Sequence, residues 1–245
     1  MHTPFSISTH CLAEEELSTA LEIISNHTEY IEVMNEGRHY TEKASLLMEY
    51  PLHYSIHAPT SRGNIASAAE LIRADAISAI CASIDLAAET NAERVVFHPG
   101  NYSGDDGYEK SLPYFQDSVK RITKYGEDAG VPVCIENMGS WRWIYLQKPE
   151  ELPAVDGTDF CLDIGHAHLC GVLDQFLEKP FVHIHIHDNA GEIDSHGAVG
   201  TGTINIEAVM KAVAANHIEH PVIECGTLDA ALISLEKLNK IKQNF

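Results

Sequence analysis

Residues 94–100 read RVVFHPG, a short apolar run that ends in a histidine just before a turn. The same arrangement recurs along the chain, with runs rich in Val, Ile and Phe that are bounded by Pro, Gly, Asn or Asp. Runs of this kind are typical of buried strands. They predict eight strands, at residues 5–8, 30–34, 53–57, 94–98, 133–136, 160–163, 182–187 and 222–224.

Segments with helical periodicity lie between these strands. We expect long helices at 13–25, 67–90, 108–129, 205–216 and 228–242, and shorter ones at 40–49, 149–152 and 172–178. The glutamates at 14–16 are expected in the first turn of the first helix, where the helix dipole favours them. Eight strand–helix units in 245 residues predict an α/β protein, a single (β/α)8 TIM barrel over residues 1–245. The alternative, a doubly wound open sheet, is disfavoured because no G-x-G-x-x-G follows the first strand.

The composition excludes several classes of protein. With 16 basic and 36 acidic residues the formal charge is −20, which disfavours general attraction to nucleic-acid phosphates. The hydrophobic fraction of 44% excludes wholesale disorder. No apolar run approaches the roughly 18 residues of a membrane span, and the first ten residues do not resemble a signal peptide. The six cysteines are scattered, so we expect reduced thiols and a cytoplasmic location.

Side chains that commonly bind metals stand at or near the ends of six predicted strands. They are His57, His98, Glu136, Asp163, His185 and Glu224. The carboxyl ends of parallel barrel strands meet on one face, so these side chains are expected to converge there. Three more such residues follow close by, namely His166, Asp194 and His196. Nitrogen and carboxylate donors without a thiolate favour Zn²⁺, Mn²⁺ or Fe²⁺ over Ca²⁺.

These segments together resemble the xylose-isomerase-like TIM barrels, a superfamily that includes endonuclease IV and many sugar isomerases and epimerases. The resemblance runs from the first strand to the last helix. The matching segments are IHA at 56–58, FHPG at 97–100, IEN at 135–137, LDIGH at 162–166, HIHD at 185–188, DSH at 194–196 with G-x-G at 200–202, and IE at 223–224. Each segment is short, and it is their common order that carries the resemblance.

Two ligand patterns within that superfamily fit the sequence. The endonuclease IV pattern implies three zinc ions, held by a first set of His57, His98 and Glu136, a second set of Glu136, Asp163, His185 and Glu224, and a third set of His166, Asp194 and His196. The isomerase and epimerase pattern implies one metal in the second set, where Glu136 and Glu224 also form the catalytic acid/base pair. The expected cofactor is therefore a divalent metal, zinc first and up to three ions, with manganese or iron as alternatives.

Finer resemblances favour a small substrate over DNA. The stretch 185–202 resembles barrel proteins described as sugar phosphate isomerases or epimerases, and the loop at 58–64 departs from the aromatic-bearing loop of endonuclease IV. We expect a metal-dependent isomerase or epimerase that transfers a proton by a carboxylate in a small sugar or sugar phosphate. The alternative is an endonuclease IV-like trinuclear-zinc phosphodiesterase acting on abasic sites, with nucleic acid as its partner. A third alternative is a metal-binding or sugar-binding protein without catalysis.

Candidate substrate contacts follow the fifth strand. Trp141 and Trp143 are the only tryptophans, with Arg142 between them. One tryptophan is expected to stack on a sugar ring or a base, and packing beneath a loop is the equal alternative. Three arginines are expected in loops on the active face, namely Arg142, Arg38 and Arg62. A chain of this length commonly has three arginines in loops, so their number alone does not indicate a DNA-binding surface.

Three histidines alternate along the seventh strand, so their side chains share one face. We expect His185 to be the metal ligand, His187 to contact substrate or support a ligand, and His183 to be a buried core residue. His10 follows the first strand on the active face and is a further candidate. Barrels of this kind often pair, which makes a homodimer an additional expectation.

Overall fold

The computed structural model describes residues 5–104 and 107–242, and its parallel strands close into one barrel. The strands are β1 (Ser6–Ser8), β2 (Tyr30–Met34), β3 (His53–His57), β4 (Val95–Phe97), β5 (Val133–Glu136), β6 (Asp159–Asp163), β7 (His183–Ile186) and β8 (Val222–Ile223). Each pairs with its neighbours in sequence order, and Ile7 of β1 lies opposite both Ile31 of β2 and Ile223 of β8. The structure therefore confirms the (β/α)8 TIM barrel, since a doubly wound sheet would remain open.

Helices cover the outside of this barrel. They are α1 (Leu17–Ile24), α2 (Ala44–Met48), α3 (Glu70–Thr90), α4 (Gly107–Ala129), α5 (Ile164–Leu169), α6 (Leu173–Leu177), α7 (Ile206–Ala215) and α8 (Leu228–Lys242). Shorter 3-10 segments form at Thr9–Leu12, Gly37–His39 and Pro149–Val155. None of the helices within the described ranges combines the length and the hydropathy that a bilayer crossing requires.

The first helix begins later than the sequence predicted. A 3-10 turn occupies Thr9–Leu12, and α1 begins at Leu17, with no acidic residue in its first turn. The prediction that the glutamates at 14–16 lie in that turn was therefore wrong. The apolar periodicity explains the start, because the buried residues that pack α1 on the barrel are Leu17, Ala20, Leu21 and Ile24. The glutamates lie before the helix, on the connection that leads from β1.

A short helix that the sequence analysis did not predict, α5, begins directly after β6. Asp163, the last residue of that strand, is its N-cap, and its Oδ1 accepts a hydrogen bond of 2.7 Å from the backbone N–H of His166. The chain therefore turns into the helix without a connecting loop. This turn brings the side chain of His166 back over the end of the barrel.

Candidate metal centre

One cavity of about 410 Å³ opens at the carboxyl ends of the strands, and the nine ligand-type side chains converge on it. Seven of them line its wall, namely His57, His98, Glu136, His166, Asp194, His196 and Glu224. Asp163 and His185 lie just beneath, with no exposed surface. The barrel therefore brings together side chains that lie up to 167 residues apart in the sequence, from His57 to Glu224.

The first set gathers around one carboxylate oxygen. Oε2 of Glu136 lies 3.2 Å from Nε2 of His57 and 3.4 Å from Nε2 of His98. His57 and Glu136 are buried, whereas the His98 side chain is 25% exposed toward the cavity. These three donors therefore share a small space that is open on one side.

The second set gathers around one histidine nitrogen. Nδ1 of His185 lies 3.3 Å from Oε2 of Glu136, 3.4 Å from Oε2 of Glu224 and 3.8 Å from Oδ2 of Asp163. The side chains come from β5, β6, β7 and the residue after β8, so they approach from one half of the barrel. Glu136 belongs to both this set and the first.

The third set lies at the rim. Oδ2 of Asp194 is 3.3 Å from Nε2 of His166 and 3.0 Å from Nε2 of His196. Asp194 and His196 come from the loop after β7, and His166 comes from α5. The three donors lie within 4.8 Å of one another.

The spacing of the donor atoms fits divalent cations. A tetrahedral zinc site with bonds of about 2.0–2.1 Å places its ligand atoms about 3.3–3.4 Å apart. The closest nitrogen–oxygen separations in the first and second sets are 3.2–3.4 Å. Oε1 of Glu224 and Oδ1 of Asp194 are also buried without a hydrogen-bond partner among the described residues, which is costly for a carboxylate unless a cation binds it.

Backbone carbonyl groups set the orientation of the ligand-type histidines. Three of these rings direct Nδ1 at a carbonyl oxygen: His57 at Ala58 (2.9 Å), His166 at Asn137 (3.0 Å) and His196 at Glu224 (2.8 Å). A carbonyl oxygen accepts a hydrogen bond and cannot donate one, so Nδ1 carries a proton in each of these rings. Each Nε2 is left facing the carboxylates, the arrangement that supports metal ligation.

The carboxylates change the acidity of these histidines. Burial lowers the pKa of His57, but its hydrogen bond with Glu136 and the surrounding carboxylates outweigh burial and raise the pKa to about 9. Burial likewise lowers the pKa of His196, and Asp194 and Glu224 raise it to about 9. Burial raises the pKa of Glu136, yet His185 and His98 hold it well below its ordinary value. The site is thus built around concentrated negative charge that attracts positive charge.

The sequence analysis missed Glu32, a fully buried glutamate on β2. Its Oε2 accepts hydrogen bonds from Nε2 of His183 at 2.7 Å and from Oγ of Ser55 at 2.8 Å. Its Oε1 lies 2.8 Å from Nε2 of His185, on the side of the ring away from the second set. The signal was present in the sequence, because a glutamate in the middle of the apolar run YIEVM must have a buried partner.

The two tryptophans lie in different places. Trp141 lines the cavity, its side chain is 44% exposed, and its ring centroid is 5.1 Å from that of His166. Trp143 lines a separate groove with Lys110, and the guanidinium of Arg142 lies 4.6 Å from the Trp143 ring centroid. The structure therefore brings Trp141 to the cavity wall and places Arg142 and Trp143 away from it.

The remaining candidate histidines also separate. His187 is fully buried, and its Nε2 lies 3.2 Å from both carboxylate oxygens of Asp163. It supports Asp163 and does not line the cavity. His10 does line the cavity, with its ring centroid 4.8 Å from that of His196. A substrate in the cavity would therefore meet His10 beside His196 and Trp141 beside His166.

Asp188 holds the loop that carries the third set. Its Oδ2 accepts the backbone N–H of Gly200 at 2.8 Å, and its Oδ1 accepts that of Ile204 at 3.2 Å. Its own backbone N–H and C=O both pair with Gly197. One buried aspartate thus closes the loop at its base and fixes the direction in which Asp194 projects.

The substitution Asp188→Asn is expected to lower stability by about 1.5–3 kcal/mol, because an amide accepts only one of these two bonds and turns its NH₂ group toward a backbone N–H. The measurement is urea unfolding in the presence of a chelator, with Asp156→Asn, an exposed position, as the matched control. Equal unfolding midpoints for the two variants would show that Asp188 does not hold the loop.

Comparison with known proteins agrees with this architecture. A family model described as the xylose isomerase-like TIM barrel matches residues 19–243. An uncharacterized protein of Methanocaldococcus jannaschii is 30% identical over 241 residues, which cover 93% of this chain and 94% of the relative.

Two solved structures are similar over almost the whole chain. A D-tagatose 3-epimerase-like protein has a TM-score of 0.91 at 29% identity, and the match covers 98% of this chain and 97% of the other. A Thermus thermophilus protein, from a crystal soaked with ZnCl₂, has a TM-score of 0.74 at 21% identity and shares the fold over 100% and 99% of the two chains. From the match of the family model to most of its length, the chain belongs to the xylose isomerase-like TIM barrel family.

Proposed function

We propose that this protein is a divalent-metal-dependent isomerase or epimerase that acts on a small sugar or sugar phosphate. The observation that carries the proposal is a pair of buried carboxylates, Glu136 and Glu224, which line one cavity from different strands. Each places an oxygen within 3.4 Å of the same nitrogen of His185. The name of the similar D-tagatose 3-epimerase-like protein supports the same class of reaction.

The second set would hold the cation that the reaction uses. Its members are Glu136, Asp163, His185 and Glu224. A bound divalent cation supplies a Lewis acid that polarises a carbonyl or hydroxyl group of the sugar and offsets the negative charge that develops. Zinc fits the mixture of nitrogen and carboxylate donors, and manganese or iron would fit it as well.

The two glutamates carry the proton transfer. One ionised carboxylate takes the proton from the carbon next to the sugar carbonyl, and the resulting carboxyl group is then neutral. A proton returned to the opposite face of that carbon inverts it, and one returned to the neighbouring carbon isomerises the sugar. Because Glu136 and Glu224 approach from different strands, the cavity offers a proton-transfer group on two sides of a substrate.

The rest of the cavity suits a ring-sized polar molecule. Its volume of about 410 Å³ lies at the lower end of the range for small-molecule sites. The half-exposed Trp141 presents an aromatic surface on which the apolar face of a sugar can stack. His10, next to His196 in the cavity wall, offers a ring nitrogen to a hydroxyl group.

The test is a panel of ketoses, aldoses and their phosphates incubated with the metal-loaded protein in D₂O. We expect deuterium to enter one sugar at the carbon next to the carbonyl, together with its epimer or isomer. The same preparation is given a duplex that contains an abasic site. Nicking of that duplex without exchange in any sugar would overturn the proposal.

One observation favours the alternative, a trinuclear phosphodiesterase acting on abasic DNA. The third set converges as closely as the others, although the isomerase pattern does not need it. Against it, none of the described side chains that line the cavity is a lysine or an arginine. On the surrounding loops, Arg38 pairs with Glu16 at 2.8 Å and Arg62 with Asp75 at 3.4 Å. With a formal charge of −20, the protein as a whole does not attract a phosphate backbone.

The substitution Asp194→Asn separates these two functions. Asp194 lies 3.3 Å from His166 and 3.0 Å from His196, the two other members of the third set. We therefore expect the variant to keep the cation of the second set. Its rate of sugar exchange should stay within about tenfold of the wild-type rate. Metal content per chain, measured by elemental analysis of the variant and the wild type, checks the first expectation. Complete loss of bound metal and of sugar exchange in Asp194→Asn would show that the third set is essential.

A further inference from the structure

A buried polar cluster lies inside the barrel, below the candidate metal centre. It consists of Glu32 on β2, Ser55 on β3, and His183 and His185 on β7, all with at most 6% of their surface exposed. None of these residues except His185 belongs to the three ligand sets. The cluster therefore needs its own explanation, since a buried carboxylate is retained only when its charge is well satisfied.

One hydrogen bond and one close charge contact join the Glu32 carboxylate to the two histidines. The Glu32 carboxylate lies 2.7 Å from Nε2 of His183 and 2.8 Å from Nε2 of His185. The contact with His183 is a charge-assisted hydrogen bond, whereas the contact with His185 has a similar length without the alignment of a hydrogen bond. Both separations are shorter than the roughly 3.3 Å between ligands of a tetrahedral cation. Cys161 lies near both histidines, and these three residue types can bind a cation, but the short separations leave no room for one between Glu32 and either ring.

His185 consequently faces carboxylates from both of its nitrogens. Nε2 lies 2.8 Å from Glu32, and Nδ1 lies within 3.8 Å of each of the three carboxylates of the second set. The ionised Oε1 of Glu32, 2.8 Å from Nε2, repels a lone pair on that nitrogen and so favours the tautomer with its proton on Nε2. Nδ1 is then the nitrogen whose lone pair is available to a cation.

We propose that Glu32 is the positioning residue of the metal centre: it fixes the tautomer and the ring direction of His185, and His183 and Ser55 hold Glu32 in place. The inference rests on the proposed function, because it requires a cation in the second set. Glu32 acts through His185 and does not line the cavity.

Contacts with His183, Ser55 and His185 prevent the Glu32 carboxylate from rotating. Oε2 receives both the His183 and the Ser55 hydrogen bonds, which leaves Oε1 directed at His185. Rotation of the carboxylate would break two hydrogen bonds in a buried environment, where each broken bond is costly. The sequence analysis expected His183 to be a buried core histidine, and its hydrogen bond to Glu32 also holds that carboxylate in position.

The test is the variant Glu32→Gln, which keeps the size of the side chain but replaces one acceptor by an NH₂ donor. When that NH₂ group faces His185, it donates to Nε2 and moves the ring proton to Nδ1, which removes the lone pair from the second set. We expect the dissociation constant for Zn²⁺, measured by chelator competition, to rise about 10- to 100-fold. The visible absorption of the Co²⁺-loaded protein should change in position or intensity.

The matched control is His183→Gln, whose amide still donates to Oε2 and leaves the contact between Oε1 and His185 intact. We expect its Zn²⁺ dissociation constant to stay within about threefold of the wild type. Both variants are also unfolded thermally in chelator, which reports any purely structural loss. If Glu32→Gln does not fold, Glu32→Asp serves instead: it keeps the charge but is one methylene too short to reach His185, and it should weaken Zn²⁺ binding by at least about tenfold.

The possible results distinguish a failure of the proposed function from a failure of the role assigned to Glu32. A wild-type protein that binds no divalent cation contradicts the proposed function itself. A wild type that binds Zn²⁺ together with a Glu32 variant that has the same dissociation constant and Co²⁺ spectrum overturns the inference about Glu32 alone. Equal weakening in Glu32→Gln and His183→Gln also overturns it, because the loss would then come from the interior as a whole.

Discussion

Glu136→Gln is expected to lose at least about a thousandfold in sugar exchange and to lose bound metal as well. General acid–base groups contribute about 10²–10⁴-fold, and Glu136 is in addition a ligand. Its Oε2 is the atom that joins the first two sets: it lies 3.2–3.4 Å from the nearest nitrogens of His57, His98 and His185. A neutral amide removes the charge that draws a cation to all three.

The measurement combines elemental analysis with deuterium exchange into the sugar that the panel identifies. The matched control is Glu219→Gln, the same chemical change at an exposed position outside the cavity, which should retain wild-type values for both. If Glu136→Gln kept its full metal content and exchanged the sugar at the wild-type rate, Glu136 would be neither the base nor a ligand.

Gly165→Ala is expected to reduce activity about a hundredfold and stability by about 1–3 kcal/mol. A Cβ at this position would lie 2.5 Å from Nε2 of His187 and closer still to its Cε1. His187 cannot withdraw without releasing both oxygens of Asp163, which it contacts at 3.2 Å. The added methyl group therefore displaces a residue of the second set without touching the substrate.

The control for this change is Gly107→Ala, at the start of α4, where the nearest atom to the added Cβ is 3.6 Å away. That variant should unfold within about 0.5 kcal/mol of the wild type. Deuterium exchange and urea unfolding in chelator give the two readouts. An alanine at position 165 that left both unchanged would show that His187 and Asp163 can move without consequence.

The strands were predictable because each combines apolar side chains with a turn. The predicted and observed bounds of β2, β3 and β5 coincide, and the other strands differ by a residue or two at their ends. Helix starts were less predictable. The acidic run at 14–16 favours a helix start, but the packing of Leu17 and Ile24 on the barrel sets it later. Asp163 is the N-cap of α5. The sequence did not indicate this cap, because the same residue also ends a strand.

The candidate ligands were predictable for a topological reason. In a parallel barrel every strand ends on the same face, so residues at successive strand ends must meet however far apart they lie in the chain. Sequence order alone thus indicated that His57, His98, Glu136, Asp163 and His185 share one site. It did not indicate which atoms face one another, because those distances depend on barrel closure and ring orientation.

The sequence by itself determined the barrel, the face on which the candidate ligands meet and the chemical type of those side chains. Only the tertiary structure decided which residues surround those ligands. Glu32 and His185 are 153 positions apart, and they meet because β2 and β7 both point side chains into one closed interior. Trp141 and Trp143 are two positions apart, yet they lie in different cavities because the loop between β5 and β6 has no periodicity to fix its side chains. Local patterns determine elements, whereas contacts between distant elements and within irregular loops are fixed only when the whole chain packs.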